Sequence, residues 1–215
     1  MIKISFFLIT MQRITIIFHH YNRVDKLPMN EKQLIAGCRH GETLARRKLY
    51  ELYAPAMMSV CMRYLNNKET AKDILQEGFI KIYTKIDTYS GTGSFAGWVR
   101  RVFVTTALEY LRDNTSLNLM SVNLDEHNND IEDIDASILD YLSADDILTC
   151  VAGLPNGFRT VFNLFAIEGY THSEIAKMLN IKESTSRSQF IRARKILQRN
   201  VQSLIMQENA RQGKS

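Results

Sequence analysis

Apolar residues recur at three- and four-residue intervals along most of this chain, the spacing of helices that bury one face. The pattern predicts a helix over 31–39 and a longer one over about 42–65, with Pro55 placed to kink it. Asn67 suits the cap of a third helix, from Lys68 to about Ile86. A polar stretch, 87–94, holds Gly91 and Gly93 and reads as a loop, and Ser94 is placed to cap a helix reaching Arg112. After a long polar interval, a helix near 144–153 precedes Leu154-Pro155. Pro155 suits the first turn of another helix, running to about Glu168.

The most specific pattern lies at 171–197. Thr171 and Glu174 have capping-box spacing, and Tyr170 and Ile175 stand where a hydrophobic staple would. Ile175, Met178 and Leu179 share one face of a short helix. Asn180 follows at the turn, where a left-handed residue is needed and Asn is tolerated. A second, basic helix then sets Ser186, Phe190, Ala193 and Leu197 on one inward face. Ser184, Thr185, Arg187, Ser188, Ile191, Arg192 and Lys195 remain as candidate contacts. A helix, a tight turn and a basic helix fit a helix-turn-helix that sets its second helix in the major groove. Arg187 and Arg192 have the reach for guanine edges or phosphates, and Ser188 suits either.

Composition agrees with an all-helical protein of one large or two small domains. The chain has 215 residues, 45% apolar, with three Pro and ten Gly. Cys38, Cys61 and Cys150 form no CxxC pair, and the five histidines show no metal-ligand spacing. Three unpaired cysteines suit a reducing compartment. No cofactor, metal, catalytic trio or small-molecule substrate is expected, so the chain does not read as an enzyme. The net charge of +4 hides an asymmetry. Residues 113–158 hold ten acids and no Lys or Arg, which leaves 27 bases against 13 acids elsewhere. Two basic lobes joined by an acidic segment suggest a polyanion partner.

The expected organisation is an upstream extension over 1–29, a helical domain over 30–113, an acidic flexible linker over 114–143, a helix-turn-helix domain over 144–207 and a disordered tail over 208–215. The apolar run near the start is broken by Gln12 and Arg13 and is too short to span a membrane. A second Met at position 29 precedes the first capped helix, so we expect native translation to begin at Met29.

The first domain carries its own constellation. Asp73, Gln76 and Glu77 fall on one helix face, with Phe79 and Lys81 beside them, a grouping suited to binding a protein. Tyr89, Ser94, Phe95, Trp98, Arg100 and Arg101 surround the glycine-containing loop. Aromatics among bases offer what unstacked single-stranded nucleotides need, a stacking surface and phosphate neutralisation.

Together these residues resemble RNA polymerase sigma factors of the extracytoplasmic-function (ECF) type. Three ordered blocks carry the resemblance. The first is Asp73-x-x-Gln76-Glu77-x-Phe79. The second runs from Gly93-Ser-Phe95-x-Gly97-Trp98 to Ala107-Leu108-Glu109. The third runs from Leu154-Pro155-x-x-x-Arg159 through Glu168-Gly169-Tyr170 and Glu174-Ile-Ala to Arg192-Ala193-Arg194. The resemblance implies a subunit, confined to the cytoplasm, that binds core RNA polymerase and promoter DNA, both duplex and melted strand. Asp73, Gln76, Glu77, Phe79 and Lys81 would dock on the polymerase clamp. Tyr89, Ser94, Phe95, Trp98, Arg100, Arg101 and Thr105 would hold the melted minus-ten element. The second helix of the helix-turn-helix would read the minus-thirty-five element. It also implies a membrane-bound anti-sigma factor as partner.

Three residues depart from the family pattern. Thr105 stands where an Asn commonly helps bind a minus-ten base. Ser186 replaces an inward aliphatic residue, which is expected to loosen the second helix. Lys182 replaces a frequent Ser cap, a change worth about 1 kcal/mol. The competing reading is a helix-turn-helix regulator of the response-regulator output type, binding duplex DNA without polymerase. Such a regulator has no need of the first-domain constellation.

Overall fold

The computed structural model describes residues 30–114 and 144–212, and no strand occurs among them. They fall into two compact units. The expectations for the upstream extension and for most of the acidic linker lie outside the described residues.

The first unit holds α1 (Glu31–Arg39), α2 (Thr43–Leu65), α3 (Lys68–Lys85), a 3-10 turn at Ile86–Thr88 and α4 (Phe95–Asn114). Asn30 caps α1 through Lys32 N, and Asn67 caps α3 through Thr70 N at 3.0 Å. The long α2 runs through Pro55 and ends on Asn66, whose φ of 52° closes it with a left-handed cap. α2, α3 and α4 pack pairwise around Leu49, Tyr53, Cys61, Ile82, Phe95 and Phe103, each nearly inaccessible to solvent. Contact between α3 and α4 depends on Gly78. A Cβ there would lie 2.2 Å from Phe103 Cε1, a distance at which the ring or the helices must shift.

The second unit holds α5 (Ala144–Ala152), α6 (Asn156–Phe162), a π-helical turn (Asn163–Ile167), α7 (His172–Leu179) and α8 (Glu183–Gln212). Pro155 is the residue before α6 rather than its first turn. Arg159 explains the close turn between α5 and α6. Its guanidinium is buried, with burial pushing its pKa down, and it donates to Ala152 O at 2.9 Å, Leu154 O at 3.2 Å and Asn156 Oδ1 at 2.7 Å. Those bonds tie α6 to the carbonyls of Ala152, the last residue of α5, and of Leu154 beyond it. Gly169, at φ +80°, turns the chain out of the π-helical turn toward α7.

The expected capping box is present in full. Thr171 Oγ1 accepts from Glu174 N at 3.2 Å, and Thr171 N donates to Glu174 Oε2 at 2.8 Å. Asn180 is left-handed at φ 53°, ψ 49°. The predicted inward row on α8 is buried, and Val201 extends it. α8 also continues to Gln212, past the boundary expected at 207 and into the stretch read as a disordered tail.

Candidate functional site

In the first unit, α3 presents a continuous exposed strip. Asp73, Gln76 and Glu77 lie on it, and Ile80, which the sequence analysis did not single out, completes it at 61% exposure. The i, i+3, i+4, i+7 spacing could have found Ile80, because an apolar residue on an otherwise polar row stands out. Phe79 points the other way. It is 3% exposed and packs on Tyr50, Tyr83 and Phe103, so it braces the strip from beneath and is not a contact residue.

Lys81 also differs from expectation. It turns to the side of the strip, where its Nζ is held at 2.6 Å by Glu77 Oε1 and at 2.6 Å by Glu109 Oε2 of α4. Burial works against its charge, yet the bonds to Glu109 and then Glu77 outweigh that, and its pKa is raised. Lys81 and Glu109 form one wall of a cavity of about 190 Å³. Lys85, Trp98, Arg101 and Thr105 complete most of the remainder. A cavity with three cations, one carboxylate, one indole and three threonines suits a phosphate-bearing aromatic ligand such as a nucleotide.

The loop beside that cavity is ordered by its own side chains. Tyr89 Oη donates to Gly93 O at 2.8 Å, and Arg39 of α1 donates to Tyr89 O at 2.7 Å. Gly91 and Gly93 take φ of +81° and +76°, which β-carbon-bearing residues resist. Ser94 caps α4, with Oγ accepting from Gly97 N at 3.1 Å. Tyr89 and Phe95 are buried and cannot stack on a base as the sequence reading expected. Phe95 instead stacks on Trp98 at 5.6 Å and 17°, and Tyr89 meets Phe95 edge-on at 5.1 Å. Trp98 therefore has one face seated on aromatics and remains half-exposed at the cavity. Arg100 is half-buried, while Arg101 and Thr105 are exposed. Thr105 gives its hydroxyl proton to Arg101 O at 2.8 Å, so it offers the cavity only lone pairs.

In the second unit, Ser184, Arg187, Ser188, Ile191, Arg192 and Lys195 are all exposed and share one face of α8, opposite the buried row. Thr185 is half-buried at the edge of that face. Arg187 pairs with Glu183 one turn earlier. Ile191 is 53% exposed at the centre of the row, an apolar surface suited to a thymine methyl.

Ser186 corrects the expectation of a loosened helix. It is fully buried, and its Oγ lies 2.9 Å from Nδ1 of His172, the first residue of α7. His172 stacks on Phe165 at 4.3 Å and meets Phe190 edge-on at 5.8 Å. The hydroxyl therefore ties the two helices of the motif together. Burial, then the nearby Arg187, push the His172 pKa below 6.5, against the pull of Glu183.

No group of three metal-binding side chains occurs among the described residues, and no described helix is long and apolar enough to cross a membrane. Burial pushes the Cys61 and Cys150 thiols up to about 12 and about 11, and raises Cys38 as well, so all three stay protonated and weakly nucleophilic.

A helical unit with a basic cavity and a second unit with an exposed basic helix after a tight turn fit the class of nucleic-acid-binding proteins. The comparisons with known proteins are narrower. Residues 49–116 match Sigma-70 region 2, and residues 144–197 match Sigma-70, region 4, together more than half of the chain. The ECF RNA polymerase sigma-E factor of Haemophilus influenzae is 24% identical over 186 residues, covering 82% of this chain and 98% of the relative. The RNA polymerase sigma-H factor of Pseudomonas aeruginosa is 26% identical over 185 residues, covering 81% and 95%. Among solved structures, CnrH in complex with the cytosolic domain of CnrY aligns with a TM-score of 0.45 and 18% identity, over 80% of this chain and 97% of that one. The chain belongs to the RNA polymerase sigma factors of the sigma-70 family, in their ECF group. It is accordingly a non-enzymatic initiation factor that binds core RNA polymerase and recognises promoters.

Proposed function

We propose that the two units divide promoter recognition between them, residues 30–113 taking the polymerase and the melted minus-ten strand, and residues 144–207 the minus-thirty-five duplex. Asp73, Gln76, Glu77 and Ile80 dock on the polymerase clamp, an apolar anchor ringed by polar groups. Trp98 stacks on an unpaired base, while Arg101 and Lys85 neutralise its phosphates and Thr105 accepts a hydrogen bond from it. Ser94 and Arg100 support the same surface. On α8, Arg187 and Arg192 contact guanine edges or phosphates, Ile191 a thymine methyl, and Ser184, Ser188 and Lys195 the backbone. The acidic segment over 114–143 joins the two grips. The protein works in the cytoplasm, and by the same family resemblance a membrane-bound anti-sigma factor holds it inactive there.

The observation that carries this reading is the exposed row on α8 set against a buried row on its opposite face. It is tested by duplex binding of Arg187→Ala and Arg192→Ala in the full chain. Each should lose about 1–3 kcal/mol of affinity for a minus-thirty-five duplex if it reads a base. Unchanged affinity in both variants removes α8 from the duplex interface.

A further inference from the structure

Ser90 to Ser94, the tip of the loop beside the basic cavity, are all exposed. Among the described residues their hydrogen bonds stay within 89–98, from Ser90 to Thr92, from Tyr89 Oη to Gly93 O, and from Gly97 N and Trp98 N to Ser94. Those bonds shape the loop but do not fix its place on the unit. The buried Tyr89 ring gives one attachment, and Arg39, at the end of α1, gives the other. From fifty positions earlier in the chain, Arg39 Nη2 donates to Tyr89 O at 2.7 Å. Its Nε lies 3.6 Å from Asp87 Oδ1. α1 is itself seated by the buried Leu34, Ile35 and Cys38, and it packs on the 3-10 turn.

We infer that Arg39 is a positioning residue for strand capture: by pinning Tyr89 O to α1, it holds the aromatic seat of Trp98 in the form that receives an unpaired base. The inference rests on the proposed minus-ten role of the cavity. Tyr89 is the link. Its ring centroid lies 5.1 Å from that of Phe95 and 5.8 Å from that of Trp98, so a shift of its backbone is passed to both. A seat already in place spares the entropy of ordering it when a base arrives. A short bond from a charged donor to a part-buried carbonyl is at the strong end of its kind. The Arg39–Asp87 pair adds little by comparison, because the Asp87 side chain is 79% exposed.

Trp98 is the only tryptophan in the sequence, so its fluorescence in the full chain reports the seat directly. Arg39→Met keeps the apolar stem and removes the donors. Without DNA it should leave Trp98 more open to acrylamide quenching, with circular dichroism unchanged. In holoenzyme with core polymerase it should lower run-off transcription from linear genomic fragments roughly three- to tenfold. The deficit should shrink on negatively supercoiled plasmids bearing the same fragments, because supercoiling supplies unpairing energy and strand capture ceases to limit the yield. Two controls should leave both readouts unchanged. Lys32→Met removes the same charge from an exposed position on α1, and Asp87→Asn removes only the ion pair. An equal effect from either control, unaltered Trp98 quenching, a lowered helical signal in Arg39→Met, or an equal deficit on both templates overturns the positioning role. Loss of transcription in Trp98→Ala beside normal transcription in Arg39→Met overturns this inference alone. Unchanged transcription in Trp98→Ala overturns the minus-ten assignment, and the inference with it.

Discussion

At the scale of single residues, the polar groups with buried partners decide more than the exposed ones. Ser186 looks like a defect in the sequence because an aliphatic residue is usual there. Its partner, His172, is fourteen positions away on another helix, and no local pattern connects them. Removing the hydroxyl with Ser186→Ala leaves His172 Nδ1 unpaired and should cost about 1 kcal/mol in thermal or denaturant unfolding. The pair also sets a pH dependence. The His172 pKa is depressed in the fold, so the unfolded chain takes up the proton first as pH falls through 6.5. Stability of the helix-turn-helix unit should therefore decline as pH drops from about 7 to about 5, and His172→Gln should flatten that decline. A profile unaltered by the substitution would exclude His172 as its source.

Phe79 and Ile80 make the opposite contrast. They are adjacent in sequence, yet on α3 one is buried and the other exposed. Phe79→Ala should cost about 3–5 kcal/mol of folding stability, measured by chemical unfolding. Ile80→Asp should leave unfolding nearly unchanged and weaken binding to core polymerase. The family motif made Phe79 a contact candidate, and helical phase alone identifies Ile80 as the exposed one.

At the scale of elements, most of the fold was legible. The predicted caps at Asn67, Ser94 and Thr171 all form, because a cap is a local event within four residues. The π-helical turn was not legible, since nothing in the spacing of 156–168 marks a change of helical pitch. The cavity was legible only in part. Trp98, Arg101 and Thr105 stood out, whereas Lys85 and Glu109 join it through the crossing of α3 and α4. That crossing rests on Gly78. Gly78→Ala gains helix propensity of about 1 kcal/mol yet collides with Phe103, so a net loss of stability is expected in urea unfolding. A stabilised variant would mean that the helices separate at little cost.

At the scale of the whole molecule, the proposed division has two weak grips acting together. Each unit offers only a few cations to DNA, so either alone should bind weakly and with strong salt dependence. Joined by one chain on one polymerase, their affinities reinforce each other through effective concentration. The uneven charge of the sequence fits that division, with bases in the two units and acids between them. Function was legible because three blocks occurred in the right order, each ambiguous by itself. Promoter sequence was not, since readout depends on which base edges the α8 row meets.

Run-off transcription with core RNA polymerase on a library of genomic fragments is the most direct test. The full chain should direct transcripts from a discrete set of promoters, and Arg187→Ala with Arg192→Ala together should abolish most of them. Transcripts no different from those of core polymerase alone would contradict the account.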